Sequence, residues 1–111
     1  MAINYGDLSF GKIEPLSSWD PPSHGGIYAI TYRPDYQNKP DTYRIIYFGQ
    51  TDKFQGRGID ETHHSYKCWK EKAGKNRLYV SIHQDDNDAS RKSKEKKLIE
   101  QYTPSCNKEF A

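Results

Sequence analysis

Apolar and polar positions alternate with period two in three stretches of this chain and recur at helical spacing in two others. Residues 26–32, Gly-Ile-Tyr-Ala-Ile-Thr-Tyr, are β-branched and aromatic and read as a strand. Alternation sets Tyr28, Ile30 and Tyr32 on one face and Ile27, Ala29 and Thr31 on the other. Residues 43–49 are mostly apolar and read as a second strand. The polar loop 33–42, with Pro34, Asn38, Pro40 and Asp41, suggests that the two strands form an antiparallel pair. Residues 78–83, Leu-Tyr-Val-Ser-Ile-His, alternate and predict a third strand. One helix is predicted over 59–72, with Lys70 and Lys72 in its last turn and Ala73-Gly74 as its stop. A second runs over 89–102, from an N-cap candidate at Asp88 to a stop before Pro104. The expected architecture is α+β, a small three-stranded, mainly antiparallel sheet flanked by helices. Residues 1–24, with Pro15, Pro21 and Pro22, read as an extended lead-in whose Phe10, Ile13, Leu16 and Trp19 dock on the core. Residues 25–111 form the domain itself.

The second helix carries the sharpest chemical signal. Its apolar positions are Leu98, Ile99 and Tyr102, and the same stripe runs back to Glu95. A carboxylate turned toward a core is uncommon unless it is paired or holds a cation. An ion pair with Arg57 or Arg91 is the plain alternative, and Glu100 falls on the solvent side.

The chain has 111 residues, enough for one domain, and its 33% hydrophobic content is thin for a core. Nine tyrosines and two tryptophans compensate, since an aromatic ring buries a large area while keeping a polar tip. No apolar run approaches the length of a membrane span, and the first residues lack the apolar segment of a signal peptide. Cys68 and Cys106 read as reduced thiols of a cytoplasmic protein. The net charge of +2 is small but unevenly spread. Arg91, Lys92, Lys94, Lys96 and Lys97 form one basic run, and Lys67, Lys70, Lys72, Lys75 and Arg77 form another. Asp85, Asp86 and Asp88 gather elsewhere in the sequence. Local basic patches on a near-neutral chain suit a polyanion, and a solvated helix face explains them equally well.

Gly26-Ile27-Tyr28, then Tyr47-Phe48-Gly49, then Arg57, Glu95 and Asn107 resemble, in order and spacing, the GIY-YIG nuclease superfamily. The likeness covers residues 26 to 107. Tyr28 and Tyr47 match the two motif tyrosines, with Phe48 in place of isoleucine. Arg57 has the family's common offset, and Glu95 matches the helix carboxylate twelve residues before Asn107. One element departs: the position one helical turn after the arginine is Glu61, and His63 and His64 follow it. With Lys67 and Cys68 they loosely fit a branch whose helix carries a His-His pair, His63 being the stronger candidate and His64 its rival.

The resemblance implies an endonuclease that hydrolyses DNA phosphodiesters with one divalent cation, Mg²⁺ or Mn²⁺. Glu95 would ligate the metal, Arg57 clamp the phosphate, Tyr28 act as general base with His63 relaying the proton, and Tyr47 orient water or phosphate. Asn107 would support the helix exit, while Lys67, Arg91 and Lys92 contact the nucleic acid. A homodimer or a separate DNA-reading partner would supply any strong sequence specificity. Two other readings stay open: a nucleic-acid-binding module of the same fold without turnover, and a small tyrosine-rich protein-interaction domain. A zinc site from His63, His64, Cys68 and Cys106 fits poorly, because adjacent histidines do not match usual ligand spacing.

Overall fold

The computed structural model describes residues 3–35, 37–39 and 41–110. Pro40 of the predicted loop lies outside the described residues. The strands are β1 (Ile3–Tyr5), β2 (Leu8–Phe10), β3 (Glu14–Pro15), β4 (Gly26–Tyr32), β5 (Arg44–Thr51) and β6 (Leu78–Gln84). The helices are α1 (Tyr66–Ala73) and α2 (Asp88–Tyr102), with 3₁₀ turns at Leu16–Ser18 and Ser105–Phe110. β1 and β2 form a separate hairpin, and the other strands form one antiparallel sheet in the order β3-β6-β4-β5.

The expected α+β class holds, but the three-stranded sheet does not. A fourth strand, β3, pairs Glu14 with Val80 and Pro15 with Tyr79. It is two residues long and half proline, so no periodicity betrays it. Proline lacks an N–H to donate and is tolerated on a sheet edge. The lead-in is likewise more structured than an extended segment. Its β1–β2 hairpin buries Tyr5 and Phe10, and the Gly6 N–H donates to the Tyr102 hydroxyl at 2.9 Å.

Both faces of the sheet are covered, and the alternation read from the sequence sorts them. Tyr28, Ile30, Tyr47, Leu78 and Val80 pack with Trp69 and Ala73 of α1. Ile27, Ala29 and Phe48 pack with Leu98 of α2 and the N-terminal hairpin. The first helix begins at Tyr66 and not at residue 59. Residues 60–66 turn on themselves because side chains there bond the local backbone. Asp60 accepts from the Thr62 N–H at 2.9 Å, and His63 Nδ1 accepts from the Ser65 N–H at 3.0 Å. The second helix is capped by Asn87, whose side chain accepts from the Ser90 N–H at 2.8 Å, one residue before the expected Asp88.

Cys68 and Cys106 are joined in a disulfide, their Cα atoms 5.8 Å apart, which corrects the reading of two reduced thiols. They lie 38 residues apart in sequence, and only the packing of the C-terminal 3₁₀ turn under α1 brings them together. A disulfide persists most readily in an oxidising compartment, so the cysteines no longer support a cytoplasmic setting. Among the described residues no helix is long and apolar enough to cross a membrane.

Candidate active site

Tyr28 sits opposite Gly49 in the β4–β5 register. A Cβ on Gly49 would meet ring carbon Cε1 of Tyr28 at 2.7 Å and its hydroxyl closer still. The glycine of Tyr47-Phe48-Gly49 therefore leaves the space in which the Tyr28 phenol lies across the neighbouring strand. Two short motifs that look independent in sequence make one packing unit.

His63 closes over this unit. Its Nε2 lies 2.9 Å from the Tyr28 hydroxyl, and its ring packs edge-on against Tyr47 and tilted against Trp69. Because Nδ1 accepts from the Ser65 N–H, the neutral ring carries its proton on Nε2 and donates it to Tyr28. Burial, and then the neighbouring charges of His64 and Arg57, push His63 down to about 4, so the ring stays neutral at physiological pH. His64 stacks on it at 4.3 Å between centroids but is exposed.

The polarity continues from His63. Tyr28 is fully buried, and burial pushes its hydroxyl well above the usual phenol range, with Tyr47 adding to the rise and Arg57 opposing it. The Tyr28 and Tyr47 rings lie 6.0 Å apart, and the Tyr28 and Ser65 hydroxyls are polar neighbours of the Tyr47 phenol that lower it. Burial raises the Tyr47 phenol too and Glu95 adds to the rise, while Ser65, Tyr28 and Arg57 oppose it without cancelling it. The chain of polar groups thus runs from His63 to Tyr28 to Tyr47.

Arg57 and Glu95 flank the phenols. Gly56 and Gly58 both have φ of +79°, so Arg57 projects from a tight turn. It is exposed, and no ion pair engages it among the described residues. Glu95 comes from α2, on the opposite layer of the sheet, and reaches round the β5 edge. There burial raises its half-buried carboxylate above the usual carboxylate range, and the nearby Gln50 backbone opposes the rise. No ion pair holds it among the described residues, so the expected alternatives of Arg57 and Arg91 as partners are both set aside. Both phenols sense the charges of Arg57 and Glu95. Tyr28, Tyr47, His63, Arg57 and Glu95 therefore share one neighbourhood.

Asn107 is buried against the same strand. Its Oδ1 accepts from the Phe48 N–H and its Nδ2 donates to the Phe48 carbonyl, each at 2.9 Å. Phe48 and Gln50 point their backbone groups the same way, out from the β5 edge. Asn107 and Glu95 thus take successive outward positions of that edge.

The nucleic-acid contacts divide. Lys67 is exposed and borders a depression of about 590 Å³ with His63 and His64. Lys92 is exposed but pairs with Asp88 at 3.1 Å. Arg91 departs from expectation: it is 3% exposed and bonds Gln50 Oε1, the Asp85 carbonyl and the Asp88 carboxylate. Lying one turn before Glu95 on the same stripe, it faces inward for the same geometric reason. Lys94 pairs with Asp85 at 2.8 Å, so acids that stand apart in sequence meet three of the five cations of this run in the fold. His83 lies 2.9 Å from the Ser9 carbonyl and 3.0 Å from Lys94 Nζ, and His24 packs edge-on against Phe54. Neither the role of Gly49 nor that of Ser65 was foreseen.

Among the described residues no three His, Cys, Asp or Glu side chains are grouped to hold a metal, and the disulfide removes both thiols from any zinc set. A single hard carboxylate oxygen at Glu95 fits Mg²⁺, which is commonly held by one or two carboxylates with water and phosphate. Comparison with known proteins gives no match: no family model, no curated protein and no solved structure matches this chain.

Proposed function

We propose that this protein is a divalent-metal-dependent endonuclease of GIY-YIG type, acting on DNA phosphodiesters. The observation that carries the reading is the gathering of a polarised His63–Tyr28–Tyr47 chain with an unpaired guanidinium at Arg57 and an unpaired half-buried carboxylate at Glu95. Phosphoryl transfer needs those parts: a base for water, a cationic clamp and a site for a cation. Bound to Glu95, Mg²⁺ or Mn²⁺ would neutralise phosphate charge and acidify the attacking water.

The roles of the tyrosines are best exchanged relative to the sequence expectation. Tyr28 has no exposed surface and already accepts the His63 proton. Tyr47 has two polar neighbours, Tyr28 and Ser65, that favour a phenolate. Tyr47, having first given up its own proton to solvent beside the Arg57 charge, is then the phenolate that takes the water proton, and Tyr28 and His63 hold it in position. Water oxygen bonds to phosphorus, the bond to the leaving oxygen breaks, and that oxygen is protonated from solvent. Arg57 grips the phosphate through its planar fork.

One observation favours a second reading, a binding module without turnover: both phenols are buried, Tyr28 completely and Tyr47 to 5% exposure. A nicking assay on supercoiled, branched and single-stranded DNA with Mg²⁺ or Mn²⁺ separates the two. Glu95→Gln keeps the shape and removes the charge. It should lower cleavage by at least ~10²-fold while leaving fold and DNA affinity in place. Equal cleavage by variant and wild type removes Glu95 from the mechanism. No cleavage by wild type, with salt-sensitive binding retained, establishes the binding module.

A further inference from the structure

A second cationic site lies at the far end of the sheet. A cavity of about 630 Å³ is lined by Arg33, Lys75 and Arg77, with Asn76 and Tyr79 beside them. No carboxylate lines it among the described residues. Arg33 is held firmly: its guanidinium lies 5.0 Å from the Tyr43 ring centre and 4.7 Å from that of Tyr79, and its Nε donates to the Tyr43 hydroxyl at 3.0 Å. Lys75 and Arg77 are exposed, come from the turn between α1 and β6, and form no ion pair among the described residues. Arg91, Lys92 and Lys94 of α2 share Asp85 and Asp88, whereas Lys75 and Arg77 have no such carboxylate partner among the described residues. The exposed charges of Lys75 and Arg77 at one concave space favour an anion there.

We propose that this cavity holds a phosphate group of a bound nucleic-acid strand, remote from the bond that is cut. The proposal rests on the nuclease reading for its partner. A stacked, pre-oriented guanidinium beside two mobile cations suits a tetrahedral phosphate. Tyr32 pairs with Leu78 at this end of the sheet, four residues along β4 from Tyr28. That offset is about 13 Å at the usual rise per residue, or about four nucleotides of one strand. The site would therefore fix the register of the substrate and leave the chemistry to Tyr47 and Glu95.

The test is fluorescence anisotropy of a labelled DNA duplex, without divalent metal, across a salt series. The Lys75→Gln/Arg77→Gln variant should bind several-fold more weakly, with a log–log salt slope reduced by about one. Lys96→Gln/Lys97→Gln makes the same charge change on exposed α2 residues and should leave the slope unchanged. An equal drop in both variants, or no drop in either, overturns the site. Amide chemical shifts of Asn76 and Arg77 identify the source of the anion. Movement on adding DNA supports the proposal, whereas movement with inorganic phosphate and none with DNA overturns it. Cleavage is measured separately. An intact nuclease without the slope change defeats this site alone, and the slope change without cleavage defeats the nuclease reading alone.

Discussion

Replacing Asn107 with alanine tests how the C-terminal turn supports the candidate site. The amide makes two 2.9 Å hydrogen bonds to the Phe48 backbone, and both partners are buried. Each such bond is worth about 1 kcal/mol net, and each buried group left unpaired costs about 1–3 kcal/mol. The expected loss is about 3 kcal/mol, a large share of the ~5–15 kcal/mol that holds a domain together. With a urea slope of about 1.5 kcal/mol/M, the unfolding midpoint should fall by about 2 M. The assay is equilibrium urea unfolding at pH 7 with the disulfide intact. Asn107→Asp sharpens it, because a carboxylate still accepts from the Phe48 N–H but repels the Phe48 carbonyl. That variant should be at least as unstable as Asn107→Ala at pH 7. It should regain stability as pH falls and its carboxyl becomes a donor, since burial beside a carbonyl raises the carboxyl's folded value. A midpoint shift under about 0.3 M for Asn107→Ala, or a wild-type-like Asn107→Asp at pH 7, would refute the strand-clamp argument.

Two further outcomes are expected. Gly49→Ala drives a Cβ into the Tyr28 ring, so it should cost about 1–3 kcal/mol and abolish cleavage; an unchanged melting temperature with full activity would show that Tyr28 moves aside at no cost. For His63, nitrogen NMR should show the Nε2-protonated tautomer and a midpoint near the value of about 4 to which burial pushes it. The unfolded chain takes up that proton more readily, so stability should decline as pH falls from about 6.5 toward 4; a His63 midpoint near 6.5 contradicts the buried donor.

Most of the sheet and both helices are legible in the sequence because alternation and helical spacing report burial directly. β4 is read to its residue limits, and the inward turn of Glu95 follows from its place in the Leu98 and Tyr102 stripe. The same stripe contains Arg91, but a basic run invites a surface reading, so charge outweighed geometry. The early helix start at residue 59 fails because Asp60, Thr62 and His63 satisfy backbone groups locally. Propensity does not register such bonds. The disulfide and β3 depend on contacts between distant segments that no local pattern encodes. Of the candidate site, the tyrosines, Arg57 and Glu95 are recoverable from order and spacing, and the direction of the proton chain is not. It depends on which nitrogen of His63 the Ser65 amide occupies.

The edges of the main sheet bear on how copies of this protein meet. An open strand edge is a template on which another chain can add, the usual route to uncontrolled assembly. Here one border is β3, only two residues long and ending in Pro15, too short to recruit a neighbour. The other is β5, where the Asn107 amide occupies both outward groups of Phe48 and Glu95 lies beside the backbone of Gln50. Side chains stand there in place of a fifth strand. Strand addition is blocked at Phe48, and the Glu95 carboxylate stands beside the next outward position at Gln50.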